Sequence, residues 1–300
     1  MASRASRRKE QEGGARIRRV LILSIAAEPS VAEFAAELCP WLAARGVAVD
    51  FDGDARAFCR ERAEAGARPD LVVVLGGDGA MLGAVRAFAA DPVPVLGVHF
   101  GRVGFLASTT ARRCEETLEG VLAGRGVLEE RMRIEARWEA DGEARAGVAL
   151  NDVVVQRGTR RGLVTARLMV DEHWVTNYRA DGVIVATPSG STAYALAAGG
   201  PILEPAVEAL VVTPICSVGL SNRPIVLHAD GELSLAVVDT GGPINLAVDG
   251  QEHHPLPEGT VVRLRRHAVR YPIYVMPGLD PYRRLRSRLG WGLDWKAEEA

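Results

Sequence analysis

Apolar runs alternate with helical segments over the first third of the chain. Four short runs rich in Val, Leu and Ile predict buried strands. They cover residues 18–25, 47–51, 70–75 and 94–98. The segments between them predict helices, from apolar side chains at helical spacing or from alanine-rich composition. They cover residues 29–45, 55–67 and 81–90. This alternation predicts a parallel sheet covered on both faces, in a Rossmann-like α/β domain.

The pattern changes after Gly126, where short β-rich runs follow one another and turn pairs such as Asp141-Gly142 and Asp249-Gly250 separate them. Many short strands with few helices predict a β-rich second domain. The predicted strands cover residues 131–139, 147–156, 163–171, 182–187, 225–228, 233–238, 244–249 and 260–265. Further helices are predicted at 111–122, 191–198 and 281–295.

These patterns divide the chain into four segments. They are a disordered basic tail at 1–17, an α/β domain at 18–125, a β-rich domain at 126–275, and a segment at 276–300 that packs back on the α/β domain. Three hundred residues with 48% apolar side chains are enough for two cores.

Composition narrows the range of partners and compartments. The net charge of −2 provides no overall positive field for nucleic acid or an anionic membrane. No apolar run approaches the roughly 20 residues of a membrane span, and the basic N-terminus lacks the apolar segment of a secretory signal. The four cysteines are far apart and share no metal-binding spacing. We therefore expect a cytoplasmic protein with neither nucleic-acid nor membrane partners.

The first candidate for chemistry is the glycine-rich turn Gly76-Gly77-Asp78-Gly79, which joins a predicted buried strand to a predicted helix. Ligands of open α/β sheets bind at this end of the strands, and helix N-terminal N–H groups favour phosphate. Asp78 adds negative charge there, which suits a proton acceptor or a residue that places Mg²⁺. The alternative is a tight turn in which Asp78 is only the N-cap.

A second candidate is the run from Asn177 to Leu203, in which Thr187-Pro188-Ser189-Gly190-Ser191-Thr192 lies between a strand and a helix. Hydroxyl groups and glycine at a helix start offer hydrogen bonds to a ribose or a phosphate. The alternative is a Ser/Thr-rich helix cap. Neither the G-x-G-x-x-G fingerprint nor a Walker A loop occurs.

Together these runs resemble the NAD kinase family, whose members use ATP or polyphosphate. Gly76–Gly79 resembles its glycine–aspartate signature, Asn151-Asp152 its Asn-Glu pair with a shorter acid, and Arg179–Leu203 its longest motif. Gly97–Leu106 resembles the segment after the third main strand. The glycine motif is shared with diacylglycerol, sphingosine and phosphofructokinase-type kinases, whereas the long motif is far more specific.

The resemblance implies a two-domain NAD-kinase-like fold and transfer of a phosphoryl group to the 2′-hydroxyl of the adenosine ribose of NAD, which yields NADP. It implies Asp78 as the catalytic proton acceptor and Gly76 and Gly77 as the phosphate turn. The implied substrate-binding residues are Asp78, Gly79, Asn151, Asp152, Arg179, Asp181, Thr192, Ala193, Tyr194, Ala195, Leu196, Ala197 and Gln251.

The resemblance also implies a divalent metal cofactor, Mg²⁺ or Mn²⁺, with no residue of the chain assigned as its ligand, and a homodimer or homotetramer. The choice between ATP and polyphosphate stays open at this point. His99 and Phe100 stand where the family usually has asparagine and a small residue. For His99 the alternative is a structural histidine buried at a strand end.

Two other functions are consistent with the sequence. One is a lipid or sugar kinase of the same wider group, against which the Thr187–Tyr194 run argues. The other is a non-catalytic dinucleotide-binding sensor. The presence of Asp78 argues against a sensor, because a pure binder gains little from a carboxylate beside phosphates.

Overall fold

A computed structural model describes residues 8–10, 16–24, 29–53, 68–101, 104–158, 162–239, 242–276 and 280–291. The chain divides into two compact units, residues 1–130 with 272–300 and residues 131–271. The predicted helix at 55–67 lies outside the described residues. In the described part, no helix is long and apolar enough to cross a membrane.

The described strands are numbered in chain order. They are β1 (Arg8–Glu10), β2 (Arg19–Ser24), β3 (Ala48–Asp52), β4 (Leu71–Leu75), β5 (Val95–His99), β6 (Thr109–Thr110), β7 (Val127–Arg131), β8 (Ile134–Ala140), β9 (Glu143–Ala149), β10 (Asp152–Arg157), β11 (Val164–Val170), β12 (His173–Ala180), β13 (Gly182–Ala186), β14 (Ala209–Ile215), β15 (Ile225–His228), β16 (Leu233–Asp239), β17 (Ile244–Val248), β18 (Glu252–Leu256), β19 (Val261–Arg266) and β20 (Tyr271–Val275). The described α-helices are α1 (Pro29–Ala43), α2 (Asp78–Ala87), α3 (Cys114–Leu122), α4 (Tyr194–Ala197) and α5 (Pro281–Leu289).

The first unit is built on an eight-stranded sheet in the order β1-β7-β20-β5-β4-β2-β3, with β6 beside β5, counted over the described residues. Strands β3, β2, β4 and β5 run parallel, as the alternating pattern predicts. Side chains of β2, β4 and β5 form one core with the apolar faces of α1 and α3. Ile22, Val73, Leu96, Leu38 and Leu118 are at most 1% exposed within it.

Of the predicted disordered tail at 1–17, the structure describes residues 8–10 and 16–17, and residues 8–10 form a strand at the sheet edge. Arg8–Glu10 pairs antiparallel with Val127–Glu129, because a strand edge presents unpaired N–H and C=O groups that a neighbouring segment can satisfy. The same β7 strand belongs to this sheet, so the first unit extends to residue 130 rather than to the predicted 125.

The predicted C-terminal helix is shorter than expected. Helix α5 ends at Leu289, because Gly290 takes the left-handed conformation (φ 67°) that stops a helix. The guanidinium of Arg284 on α5 donates to the carbonyl of Phe105 at 2.8 Å. Trp295, part of the predicted helix, lies outside the described residues.

The second unit contains two antiparallel six-stranded sheets among its described residues. Their strand orders are β15-β14-β13-β10-β17-β18 and β12-β11-β16-β19-β8-β9. Val153 and Val185 from the first sheet share one core with Leu168 and Leu264 from the second, so the sheets pack face to face. The other face of β10 is buried too, where Val154 packs with Ala195 of α4. Burial on both faces explains the unbroken apolar runs of β10 and β13.

One predicted strand, 147–156, is wrong in a way that matters for function. The structure breaks it at Leu150-Asn151, because β9 and β10 belong to different sheets. Both halves are apolar, so the sequence pattern does not mark the break. The chain therefore crosses between the two sheets at Leu150 and Asn151.

We expect Gly97→Ala to destabilise the first unit. A Cβ on Gly97 in β5 would lie 2.7 Å from Met81 Sδ and 2.8 Å from Ala107 Cα, too close to accommodate without a shift. Overpacking of this kind costs about 1–3 kcal/mol, measurable by chemical denaturation. The matched control is Gly120→Ala in α3, where a Cβ meets nothing within 4 Å, and about 0.5–1 kcal/mol of stabilisation is expected. A stable Gly97→Ala variant would contradict this packing.

Candidate active site

The glycine-rich turn follows β4 and begins α2. The N–H of Gly76 donates to the carbonyl of Val98 at 2.9 Å, which ties the turn to the neighbouring strand β5. Gly77 is the N-cap of α2, and its carbonyl accepts the first helical hydrogen bonds from Ala80 and Met81. Gly77 and Gly79 are exposed at the surface of the turn.

Asp78 is the first residue of α2 and not its N-cap, so the N-cap alternative is wrong. Its carboxylate instead accepts three consecutive backbone N–H groups of the loop after β5. Oδ2 accepts from Phe105 at 2.7 Å, and Oδ1 accepts from Leu106 at 3.0 Å and Ala107 at 3.4 Å. A Cβ at Gly104 would lie 2.0 Å from Oδ1, so only glycine permits this approach. The loop therefore fixes the carboxylate in one orientation.

His99 lies at the end of β5 and is 7% exposed. Burial lowers the pKa of its imidazole, the Arg284 guanidinium lowers it further, and a hydrogen bond to the Gly101 backbone and the Asp78 carboxylate act in the opposite direction. A pKa below the ordinary value leaves the ring neutral at pH 7. The structure thus places His99 where the structural alternative expected it.

In the second unit, the segment Leu150–Asp152 is held from two sides. Asp249 accepts all three of its N–H groups, with Oδ2 on Leu150 at 2.8 Å and Oδ1 on Asn151 at 2.7 Å and Asp152 at 3.1 Å. Its three carbonyls accept from Thr187 Oγ1 (2.6 Å), Thr187 N (2.8 Å) and Asp249 N (2.9 Å). Every backbone polar group of the crossing segment is therefore satisfied.

The side chains of Asn151 and Asp152 are almost completely buried, with 7% and 5% exposure. Asn151 Oδ1 has no hydrogen-bond partner among the described residues. Burial, reinforced by the charge of Asp249, raises the pKa of the Asp152 carboxyl to about 7. Burial also raises the pKa of Asp249 to about 6, with Glu252 adding to the rise and the three N–H groups opposing it. A buried amide oxygen that has no partner among the described residues, and next in sequence a buried carboxyl of raised pKa, are groups that can accept hydrogen bonds from hydroxyls.

The hydroxyls of the Thr187–Thr192 turn bind backbone carbonyls of the crossing segment and of the turn itself. Thr187 Oγ1 donates to Leu150 O, Ser191 Oγ to Pro188 O at 2.7 Å, and Thr192 Oγ1 to Ser189 O at 3.0 Å. A Cβ at Gly190 would lie 2.0 Å from Asn151 O, so the turn lies directly on the crossing segment. The predicted helix at 191–198 is a 3₁₀ turn, Gly190–Thr192, followed by the single turn of α4.

The remaining predicted residues lie in two places in the second unit, one at the Asn151 end of the sheet and one at the other end of β13. Tyr194 begins α4 and is 43% exposed. Gln251 follows Asp249-Gly250, and its N–H donates to Val248 O at 3.0 Å. Ala193, Ala195, Leu196 and Ala197 belong to the same one-turn helix and its cap. These residues share the Asn151 end of the sheet.

Arg179 and Asp181 lie elsewhere. Asp181 precedes β13, whereas Thr187 follows it, so the five-residue strand separates them by roughly 20 Å. Asp181 Oδ1 forms an ion pair with Arg157 Nε at 2.7 Å. Arg179 is exposed on β12. The structure thus does not bring these two residues to the Asn151 end.

Sequence reasoning missed Asp249 and the loop N–H groups of Phe105–Ala107. The sequence pattern predicts only a turn between strands at Asp249-Gly250. Asp249 adopts a left-handed conformation (φ 51°). Because Asp and Asn are enriched in this conformation, an aspartate in a turn is a sequence signal that could have pointed to this residue. The loop N–H groups are backbone atoms, which no residue pattern marks.

Comparison with known proteins places the chain in a family. Residues 20–126 match the family model of the ATP-NAD kinase N-terminal domain, and residues 150–274 match that of the ATP-NAD kinase C-terminal domain. The chain belongs to the NAD kinase family. The resemblance found in the sequence is therefore confirmed.

Individual members of the family support the same conclusion. The chain is 39% identical over 282 residues to the NAD kinase of Koribacter versatilis, covering 91% of this chain and 98% of that one. It is 46% identical over 221 residues to the NAD kinase of Symbiobacterium thermophilum, covering 73% and 78%. The crystal structure of yeast NADH kinase complexed with NADH is similar with a TM-score of 0.85 and 26% identity, covering 95% and 91%.

A more distant structure shows the same fold. The NAD kinase from Archaeoglobus fulgidus in complex with ATP has a TM-score of 0.73 at 22% identity, covering 91% of this chain and 97% of that one. The predicted fold class, an α/β domain with a β-rich second domain, is confirmed by these neighbours.

We expect Asp152→Asn to stabilise the protein at pH 8 but not at pH 5, in the absence of nucleotide. A folded-state pKa of about 7 means that the native state binds more protons than the unfolded one between about pH 4 and pH 7, so stability falls as pH rises through this range. Removing the buried charge should raise Tm at pH 8 by about 4 °C or more, measured by scanning calorimetry. The exposed Asp141→Asn is the control, and an equal shift at both pH values would refute the assignment.

Proposed function

We propose that the protein transfers the γ-phosphoryl group of ATP to the 2′-hydroxyl of the adenosine ribose of NAD, forming NADP and ADP. The observation that carries this proposal is the match of both kinase domain models, which together span most of the chain. In this reaction the ribose oxygen forms a bond to phosphorus, the bond from phosphorus to the ADP oxygen breaks, and the hydroxyl proton leaves to a base.

Asp78 is the proton acceptor in this proposal. A carboxylate has about four lone-pair positions, and three are occupied by the N–H groups of Phe105, Leu106 and Ala107. Among the described residues Oδ1 accepts two of these bonds and Oδ2 accepts one, so the remaining lone pair is on Oδ2. The loop leaves one acceptor position and fixes its direction, which is the positioning that phosphoryl transfer requires.

Asn151 and Asp152 bind ribose hydroxyls in this proposal. Asn151 Oδ1 is buried and without a partner among the described residues, so a hydroxyl donor would satisfy it. The Asp152 carboxylate, once ionised, accepts further hydrogen bonds from the ribose hydroxyls. Since its pKa is raised to about 7, this contact is formed more completely above pH 7 than below it.

Dependence on Mg²⁺ or Mn²⁺ remains a prediction. The described residues contain no group of three or more His, Cys, Asp or Glu side chains that could hold a metal ion. The protein side chains described therefore do not fit a resident metal site, and we assign no step to one. A divalent ion enters more naturally with the donor, because Mg²⁺ is commonly bound through substrate phosphates.

Other expectations also remain predictions from the sequence. They are the cytoplasmic location, the homo-oligomeric state, the absence of nucleic-acid and membrane partners, and the substrate roles of Arg179 and Asp181. Use of polyphosphate instead of ATP is a second form of the same proposal and is tested in the same assay.

We expect Asp78→Asn to lower kcat for NADP formation by at least about 10²-fold, because the amide cannot accept the hydroxyl proton. The matched control is Asp70→Asn in the same unit. Asp70 Oδ2 also accepts two backbone N–H groups, from Arg18 at 2.8 Å and Arg19 at 2.9 Å, but lies outside the glycine turn. Both variants lose acceptors for backbone N–H groups. A fall in kcat that occurs in Asp78→Asn and not in Asp70→Asn therefore supports the role of Asp78 as the proton acceptor. Near-normal turnover of Asp78→Asn would rule it out.

The wild-type assay separates the competing functions. NADP formation with ATP and Mg²⁺, or with polyphosphate, supports the kinase. If NAD raises Tm but no donor yields NADP, the non-catalytic sensor is correct. If neither occurs and a lipid or sugar is phosphorylated, the wider-group alternative is correct.

A further inference from the structure

The Asp249-Gly250 turn between β17 and β18 supports the backbone that carries the candidate ribose-binding residues. Leu150 and Asn151 lie between strands of two different sheets, so no strand neighbour satisfies their N–H groups. Asp249 supplies both carboxylate oxygens to these groups and to Asp152, at 2.7–3.1 Å. Buried N–H groups without an acceptor are costly, so this carboxylate decides the path of the crossing.

The path of the crossing in turn fixes the two side chains. Asn151 and Asp152 are almost completely buried, and the Asn151 carbonyl lies against Gly190. A change in the direction of the Asn151 and Asp152 N–H vectors rotates the Cα–Cβ bonds of the same residues. The position of Asn151 Oδ1 and of the Asp152 carboxylate therefore depends on Asp249.

We propose that Asp249 is a positioning residue for dinucleotide binding, which holds Asn151 and Asp152 in the orientation that accepts ribose hydroxyls. The inference rests on the proposed function, because it assumes that these two side chains bind the ribose. Asp249 acts through the backbone and touches no reacting atom in this proposal.

The charges around Asp249 predict how its removal would change the ionisation of Asp152. The charge of Asp249 is one cause of the raised pKa of Asp152. Glu252 on β18 acts on Asp249 in the same direction. On the neighbouring turn the facing groups are the hydroxyls of Thr187 and Ser189, and the Arg131 guanidinium reaches Ser189 Oγ at 3.4 Å. Loss of the Asp249 charge should therefore favour the ionised form of Asp152.

The decisive variant is Asp249→Asn, and the chain offers a close control. Asparagine tolerates the left-handed conformation of Asp249 and has nearly the same shape, but places an NH₂ group against one backbone N–H. Asp171 also has a positive φ (52°) in a turn of this unit. Its Oδ1 accepts a hydrogen bond from the N–H of Glu232 at 3.0 Å, and its own N–H donates to the carbonyl of Glu232 at 2.7 Å. Asp171→Asn thus makes the same local change away from Asn151.

We expect Asp249→Asn to raise KM for NAD about tenfold, with kcat and KM for ATP changed less than about twofold. The pH below which KM for NAD rises should move to a lower value, since Asp152 loses a negative neighbour. Asp171→Asn should change none of these. A merely structural role would lower the active fraction and hence kcat, and would leave the pH profile in place. Unchanged KM for NAD and an unchanged profile in a folded Asp249→Asn protein overturn the proposal.

Hydrogen exchange of the wild-type protein tests the proposal if that variant does not fold. NAD should slow exchange of the amides of residues 150–152, with the Asp171–Glu232 pair as the internal reference. No change at 150–152 under saturating NAD overturns the role of Asp249. Failure of the proposed function is distinguishable, because wild-type protein would then form no NADP whatever the state of Asp249.

Discussion

Each unit of this protein contains an aspartate whose carboxylate accepts three consecutive backbone N–H groups. Asp78 holds Phe105–Ala107 and Asp249 holds Leu150–Asp152. Hydrogen bonds to a charged acceptor are among the stronger ones in proteins. They also fix direction, because three N–H vectors converge on two oxygens. These bonds hold backbone that regular strands do not, since Phe105–Ala107 lies in a loop and Leu150-Asn151 lies between two strands.

The carboxylates of Asp78 and Asp249 differ in their surroundings. Asp78 is half-buried in the glycine turn, and the three N–H groups of the described loop leave one lone pair on its Oδ2. Asp249 shares its surroundings with a second carboxyl, and both have raised pKa values, about 6 and about 7. One arrangement suits accepting a proton from a bound substrate. The other suits holding the backbone of the crossing segment Leu150–Asp152.

The sequence predicted the architecture better than the details of the site. Strands such as β4 and helices such as α3 were found because their apolar periodicity is strong. The strands that were not predicted are β1, β6, β7, β12, β14, β18 and β20. Strand β12 is mostly exposed and polar, and β14, β18 and β20 contain Pro214, Pro255 and Pro272. The glycine turn was identified correctly as a strand-to-helix junction. Its link to Phe105–Ala107 could not be foreseen, because the partners are backbone atoms at a sequence separation of 27 to 29 residues.

The position of β20 has a consequence for the order in which the chain acquires its structure during synthesis. This strand lies between β7 and β5 in the sheet of the first unit, yet it is made only after the whole of residues 131–271. The sandwich of the second unit is contiguous in sequence and can complete its pairing as soon as it emerges from the ribosome. The first unit must wait with a gap in the middle of its sheet. We therefore expect the usual N-terminal-first order of domain folding to be reversed in this protein.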